Sequence, residues 1–194
     1  DVLQSRGLGD VYKRQEVTVS PAALTFTSAN WNIAQTVTLT GANDDLVDGS
    51  QTSTVTFSVV DGSSDDDFDG VTDQTVSVTT SDSDIAGFTV IESGGTTTVA
   101  EDGSSTDDFT VVLDAQPTSD VVLSIVSADT GEVTVSPATI TFTSGNWDSS
   151  QTVTVTGVDD SLIDGSQTTV VTIAVVDASS NDSFDSLLDQ TVSV

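Results

Sequence analysis

The chain repeats itself at a fixed offset of 116 residues. Glu16-Val17-Thr18-Val19-Ser20-Pro21 returns as Glu132-Val133-Thr134-Val135-Ser136-Pro137, and Asn30-Trp31 returns as Asn146-Trp147. Asp48-Gly49-Ser50-Gln51-Thr52 returns as Asp164-Gly165-Ser166-Gln167-Thr168, and Asp73-Gln74-Thr75-Val76-Ser77-Val78 as Asp189-Gln190-Thr191-Val192-Ser193-Val194. Positions 16–78 and 132–194 align without a gap and share 42 identities in 63 pairs. Copies this alike within one chain point to tandem duplication, and so to a protein built from stacked modules. One full period occupies 79–194. Residues 16–84 then read as the latter part of a first module, and 85–194 as a second that lacks the counterpart of its closing residues. The sequence is expected to be a fragment of a longer array.

The first 15 residues stand outside this pattern. They contain the only Tyr and all three basic residues, Arg6, Lys13 and Arg14. Gly9-Asp10-Val11-Tyr12-Lys13-Arg14-Gln15 resembles an adapter-derived translation scar found in metagenomic sequences. Residues 1–15 are therefore set aside as a non-native leader.

From Glu16 onward there are 29 acids, since only Asp1 and Asp10 precede it, and no Lys, Arg or His. This excludes nucleic acid as a partner, because phosphate contacts need cations. It also disfavours an anionic membrane surface. The absence of Cys and His removes disulfides, thiolate nucleophiles, zinc-thiolate sites and the commonest general base. No apolar run approaches the ~18 residues of a membrane-spanning helix. Three readings of the charge remain: a solubilising surface, adaptation to high salt, or oxygen ligands for a hard cation. A Thr- and Asp-rich, Cys-free texture suits an extracellular or cell-surface protein.

Period-2 alternation dominates and no window shows a helical period. Phe109, Val111 and Leu113 form one apolar stripe, and Val121, Leu123 and Ile125 another. Further stripes run through Ile140 and Phe142, Val153 and Val155, Val171, Ile173 and Val175, and Val192 and Val194. Strands are expected near 88–91 with 96–100, 107–113, 120–126, 132–136, 138–143, 150–156, 167–176 and 190–194. The expected fold is all-β: tandem Greek-key antiparallel sandwiches, the first truncated. Trp31 and Trp147 occupy the same turn in both copies, which fits closure of a small core better than stacking on a ligand.

Four clusters of acids stand out: Glu101-Asp102; Asp159, Asp160 and Asp164, with Asn43, Asp44 and Asp48 as their counterparts; Asp82 and Asp84; and Asp65, Asp66, Asp67, Asp69 and Asp73. In the second cluster two adjacent carboxylates end a strand and a third follows across a turn. With no Lys or Arg at hand, only a cation or protonation relieves their repulsion. Calcium, with six to eight oxygen ligands in loose geometry, suits such a group better than magnesium; the alternative is a solvated loop. The fourth cluster opens like an EF-hand loop but has Val76 at its twelfth position, and decays to Asn181, Ser183, Asp185 and Ser186 in the second copy. An acidic hairpin tip is the better reading there. A glycosidase acid-base pair would need an aromatic-lined cleft, which these clusters lack.

Taken together, these residues resemble the Calx-beta module, a calcium-binding Greek-key sandwich of sodium–calcium exchangers, an integrin subunit and large bacterial surface adhesins. The resemblance covers 85–194 and, in truncated form, 16–84. It is carried by Val99-Ala100-Glu101-Asp102-Gly103, Val155-Thr156-Gly157-Val158-Asp159-Asp160, Asp164-Gly165-Ser166-Gln167 and Thr80-Ser81-Asp82-Ser83-Asp84. It implies calcium ligands at Glu101, Asp159, Asp160 and Asp164, a less secure one at Asp129, and for the first copy Asp44, Asp48, Asp82 and Asp84. Gln167 and Gln51 stand where the family has an acid, which implies weaker binding or fewer ions. Neither copy holds a complete set.

The expected function is a non-enzymatic one. Calcium ions would stiffen an array of extracellular adhesive or spacer modules at their junctions, with neighbouring repeats as partners. The alternatives are a carbohydrate- or ice-binding or accessory module, for which the Thr152, Thr154 and Thr156 row is a candidate face, and an acidic spacer without a specific ion site. Because the first copy lacks counterparts of 88–131, its strands are expected to present unpaired edges and to be the less stable half.

Overall fold

A computed structural model describes residues 16–163 and 165–194; residues 1–15, read above as a leader, and Asp164 lie outside the described residues. The described residues form twelve strands and a few single-turn 3-10 segments, and every strand pair is antiparallel. No helix among them is long and apolar enough to cross a membrane. The chain divides into two compact units, residues 1–44 with 48–83 and residues 45–47 with 84–194.

In the second unit the strands are β5 (Phe88–Glu92), β6 (Thr106–Leu113), β7 (Val121–Ser127), β8 (Val133–Ser136), β9 (Thr139–Phe142), β10 (Gln151–Gly157), β11 (Val170–Val175) and β12 (Gln190–Ser193). They make two four-stranded sheets, in the orders β5-β6-β10-β8 and β12-β11-β7-β9. Successive strand side chains point to opposite faces, so the alternating apolar residues of each sheet line one side. Phe109, Val111, Val153 and Val155 from the first sheet and Leu123, Ile125, Phe142 and Val171 from the second share one buried core. Trp147 packs on that core, as expected. The segment 45–47 belongs to this unit: the Gln116 N–H donates to the Asp45 carbonyl (2.7 Å) and the Val47 N–H to the Gln116 carbonyl (3.0 Å).

One expected strand, 96–100, is not formed. The backbone N–H groups of Thr98 and Ala100 donate to side chains, the Asp107 carboxylate and the Ser105 hydroxyl, both at 2.9 Å. These side-chain acceptors compete with a strand ladder for the same donors. Asp107 also accepts from the Ser93 hydroxyl. That bond first, then those from the Thr98 and Asp108 amides, holds its carboxyl below the usual range.

The first unit contains β1 (Val17–Ser20), β2 (Thr38–Gly41), β3 (Gln51–Phe57) and β4 (Gln74–Thr80). They form two separate two-stranded sheets, β1-β2 and β3-β4. Registers are inherited from the repeat: Val17 faces Gly41 as Val133 faces Gly157, and Thr54 faces Ser77 as Val170 faces Ser193. Of its described apolar side chains, only Val17 and Val55 are buried.

Candidate functional site

β10 ends at Gly157, opposite Val133 of β8, and the following Val158 N–H donates to the Glu132 carbonyl (2.9 Å). Gly157 lies directly against the turn that carries Glu101. A Cβ at this position would stand 2.1 Å from the Ala100 carbonyl oxygen and 3.3 Å from the Glu101 Cα. The missing side chain of Gly157 thus lets the Glu101 turn close on the end of β10. Beside this contact is an open cleft of about 550 Å³, whose walls include Glu101, Glu132, Gly157, Ser166 and Gln167. Glu101 is exposed and Glu132 half-buried.

The other acids of this end are placed as follows. Asp159 and Asp160 are exposed just beyond β10, and the Asp160 carboxylate accepts the Leu162 N–H (2.6 Å), a local turn cap. Asp129 is likewise engaged in its own loop, accepting the Gly131 N–H on its carboxylate (2.9 Å) and the Val133 N–H on its carbonyl (3.0 Å). Neither Asp129 nor the 159–160 pair lines the cleft. The Asp102 carboxyl, held below its usual range by its hydrogen bonds with Ser104, caps the Glu101 turn. Asp164 lies outside the described residues. Glu132 was not among the residues singled out from the sequence. Its signal was positional: it directly precedes a strand paired to β10, which places it beside the acid-bearing strand end.

In the first unit Asp82 accepts the backbone N–H groups of Asp48 (3.1 Å) and Gly49 (2.7 Å) on one carboxylate oxygen. Ser83 donates to the Asn43 side chain (3.2 Å), whose amide donates to the Asp44 carbonyl (3.1 Å). The fold thus brings the Asp44, Asp48 and Asp82 segments together. Asp84 belongs to the second unit. Among the described residues no three carboxylates gather closely enough to hold a metal ion.

The stretch that reads as a decayed EF-hand loop is a structural tie. Buried Asn181 donates to the Thr118 and Ser119 hydroxyls (2.5 and 3.1 Å), and Phe184 fills the core beside it. Its counterpart Asp65 caps a single 3-10 turn through the Asp67 N–H (3.0 Å). Asp185 is the odd member: one carboxylate oxygen is shut from solvent without a hydrogen bond. Desolvation, then the charges of Asp177 and Asp182, push its carboxyl above the usual range. Thr152, Thr154 and Thr156 lie on the outer face of β10, but the register sets Asp108 opposite Thr154 and interrupts the threonine row with a charge.

No protein family model matches the chain, and no curated protein matches it.

Proposed function

We propose that the chain is a calcium-binding structural module of a long extracellular repeat protein, a Greek-key sandwich of the Calx-beta kind. The observation that carries this reading is the donor set at one end of the second unit. Glu101, Glu132 and Gln167 share a cleft, Asp159 and Asp160 follow closely in the chain after the cleft-lining Gly157, and residues 16–194 contain no cationic side chain to neutralise them. All these donors are oxygens, the chemistry calcium takes; nitrogen and sulfur ligands are lacking. Because no three carboxylates are gathered among the described residues, the ion has to recruit the 159–160 segment to complete its shell. Binding would then tie the Glu101 turn, the start of β8 and the end of β10 together and stiffen the module. The role is structural and adhesive.

Calorimetric titration of the whole chain with calcium, and with magnesium at equal ionic strength, tests this. The expected result is saturable binding selective for calcium, with a gain of ~2.7 kcal/mol at 100 times the dissociation constant. Glu101→Gln and Asp160→Asn should each reduce that gain. A melting temperature unchanged by chelator at fixed ionic strength overturns the calcium reading. Equal effects of calcium and magnesium would mark an acidic spacer without a specific site.

A further inference from the structure

Residues 45–47 do not belong with the residues that flank them in the chain. Residues 1–44 and 48–83 make the first unit, whereas 45–47 group with 84–194 in the second. What draws them there is a three-residue seat in the β6–β7 connection. The Gln116 N–H donates to the Asp45 carbonyl (2.7 Å), the Val47 N–H donates to the Gln116 carbonyl (3.0 Å), and Leu46 between them forms a parallel bridge with Gln116. Val47 packs against the core of the second unit.

The seat is held firmly by its own unit. The Gln116 side-chain amide donates to the Ser144 carbonyl (2.7 Å) in the turn after β9, and Ala115 beside it is buried. One residue earlier, the Asp114 N–H donates to the Gly87 carbonyl (2.9 Å) and its carboxylate accepts the Thr89 hydroxyl (2.7 Å). The main-chain donor and acceptor of Gln116 are thus presented in a fixed direction, as at the edge of a sheet that takes up an extended segment. The two hydrogen bonds use only main-chain groups of the segment that sits there. The one side-chain demand is an apolar residue at the third position, where Val47 meets the core.

The same loop returns at the 116-residue offset as Ser161-Leu162-Ile163. Leucine is kept in the middle, and Val47 becomes Ile, a β-branched side chain with one more methylene. Leu162 and Ile163 are both exposed and take no part in the core of their own unit. We propose that 161–163 is a latch that seats on the Gln116 segment of another copy of this module. The Ser161 carbonyl would accept the Gln116 N–H, the Ile163 N–H would donate to the Gln116 carbonyl, and the Ile163 side chain would take the place of Val47. The partner is a second copy because the seat and the latch are carried by the same module. Such head-to-tail pairing builds rows or rings of modules. This inference rests on strand pairing and packing and does not depend on calcium binding.

The test has two arms, both run with chelator present so that the outcome is separate from calcium binding. In the first, Asp45→Ser together with Val47→Ile places the residues of 161–163 in the occupied seat of the full chain. Amide exchange at residue 47 and at Gln116 is expected to stay as slow as in the unsubstituted chain, whereas Val47→Asp should speed both ~10-fold or more. In the second, residues 79–194 are appended after Val194, so that Thr79 follows it as it follows Val78. Exchange of the Ile163 amide should then slow ~10-fold or more, and Ile163→Asp should undo the effect. A Ser-Leu-Ile segment that leaves the seat in the first arm would overturn the proposal. So would unchanged exchange at Ile163 in the extended chain.

Discussion

Residues 24–27 read Leu-Thr-Phe-Thr and residues 140–143 read Ile-Thr-Phe-Thr, yet β9 occupies Thr139–Phe142 and no strand occupies 23–26. The turn that follows is the same in both places. The Asn30 side chain accepts the Thr27 N–H and hydroxyl at 2.5 and 3.0 Å, and Asn146 does the same for Thr143 at 2.5 and 3.0 Å. In the second unit β9 is an edge strand whose one neighbour is β7. Among the described residues the first unit has no counterpart of β7, and this stretch forms no more than a single β-bridge at Ala23. Local features of the repeat, the side-chain-capped turns and the two-strand registers, survive in both copies. Features that need a third strand survive only where that strand is present. The difference lies in the context of the residues, since β-propensity measures fit to neighbours more than an intrinsic backbone preference.

Paired substitutions break or sharpen this comparison. The largest contrast is expected between Phe142→Ala and Phe26→Ala. Truncating a fully buried Phe costs about 3–5 kcal/mol, whereas a half-exposed one costs about 0.5 kcal/mol or less. Denaturant unfolding followed by Trp147 emission reads the first, and amide exchange of β3 and β4 reads the second. Equal costs would mean that the first unit's apolar face is covered in solution.

The next contrast is between Gly157→Ala and Gly41→Ala. At Gly157 the new methyl would collide with the Ala100 carbonyl, a rigid backbone group, and forced shifts of this kind cost about 1–3 kcal/mol. At Gly41 its nearest neighbour is the Thr80 side-chain methyl, 3.0 Å away, which can rotate aside. Thermal unfolding of the two variants should separate them. If they behave alike, the Glu101 turn does not close on β10 as described.

The smallest contrast is between Asp185→Asn and Asp69→Asn. Asp185 has a raised carboxyl pKa, so the folded state holds its proton more tightly than the unfolded chain does. Stability then falls as the pH rises from the ordinary aspartate value of about 3.9 through the raised folded value. Asp185→Asn should therefore stabilise the second unit at neutral pH, and the gain should fade as the solution is acidified through the carboxyl range. Asp69→Asn, at the exposed counterpart, is the control for a substitution of the same kind on the surface. Melting curves between neutral and acid pH check this, and a gain that persists at low pH would contradict it.

Much of the second unit could be read from the chain because its signals are local or periodic. The stripe Phe109, Val111, Leu113 is buried as its alternation implies, and so is Val121, Leu123, Ile125. The 96–100 segment was misread because alternation does not reveal that Asp107 and Ser105 would capture its backbone donors. The acidic end was legible in part. Glu101 stood out by its motif, but Glu132 became a neighbour only when β8 paired with β10. Asp129 and Asp160 turned inward to cap their own loops, a choice that acid spacing does not encode.

By itself the sequence determined the all-β character, the repeat and its negative charge, because alternation, duplication and composition act at short range or over the whole chain. The expectation that the first copy presents unpaired edges came from the sequence; the tertiary structure decided how far each matched pair of residues is buried. Phe26 and Phe142 are the same side chain in nearly the same words. What separates them is which strands of their own unit pack over them, and burial depends on neighbours brought from elsewhere in the chain.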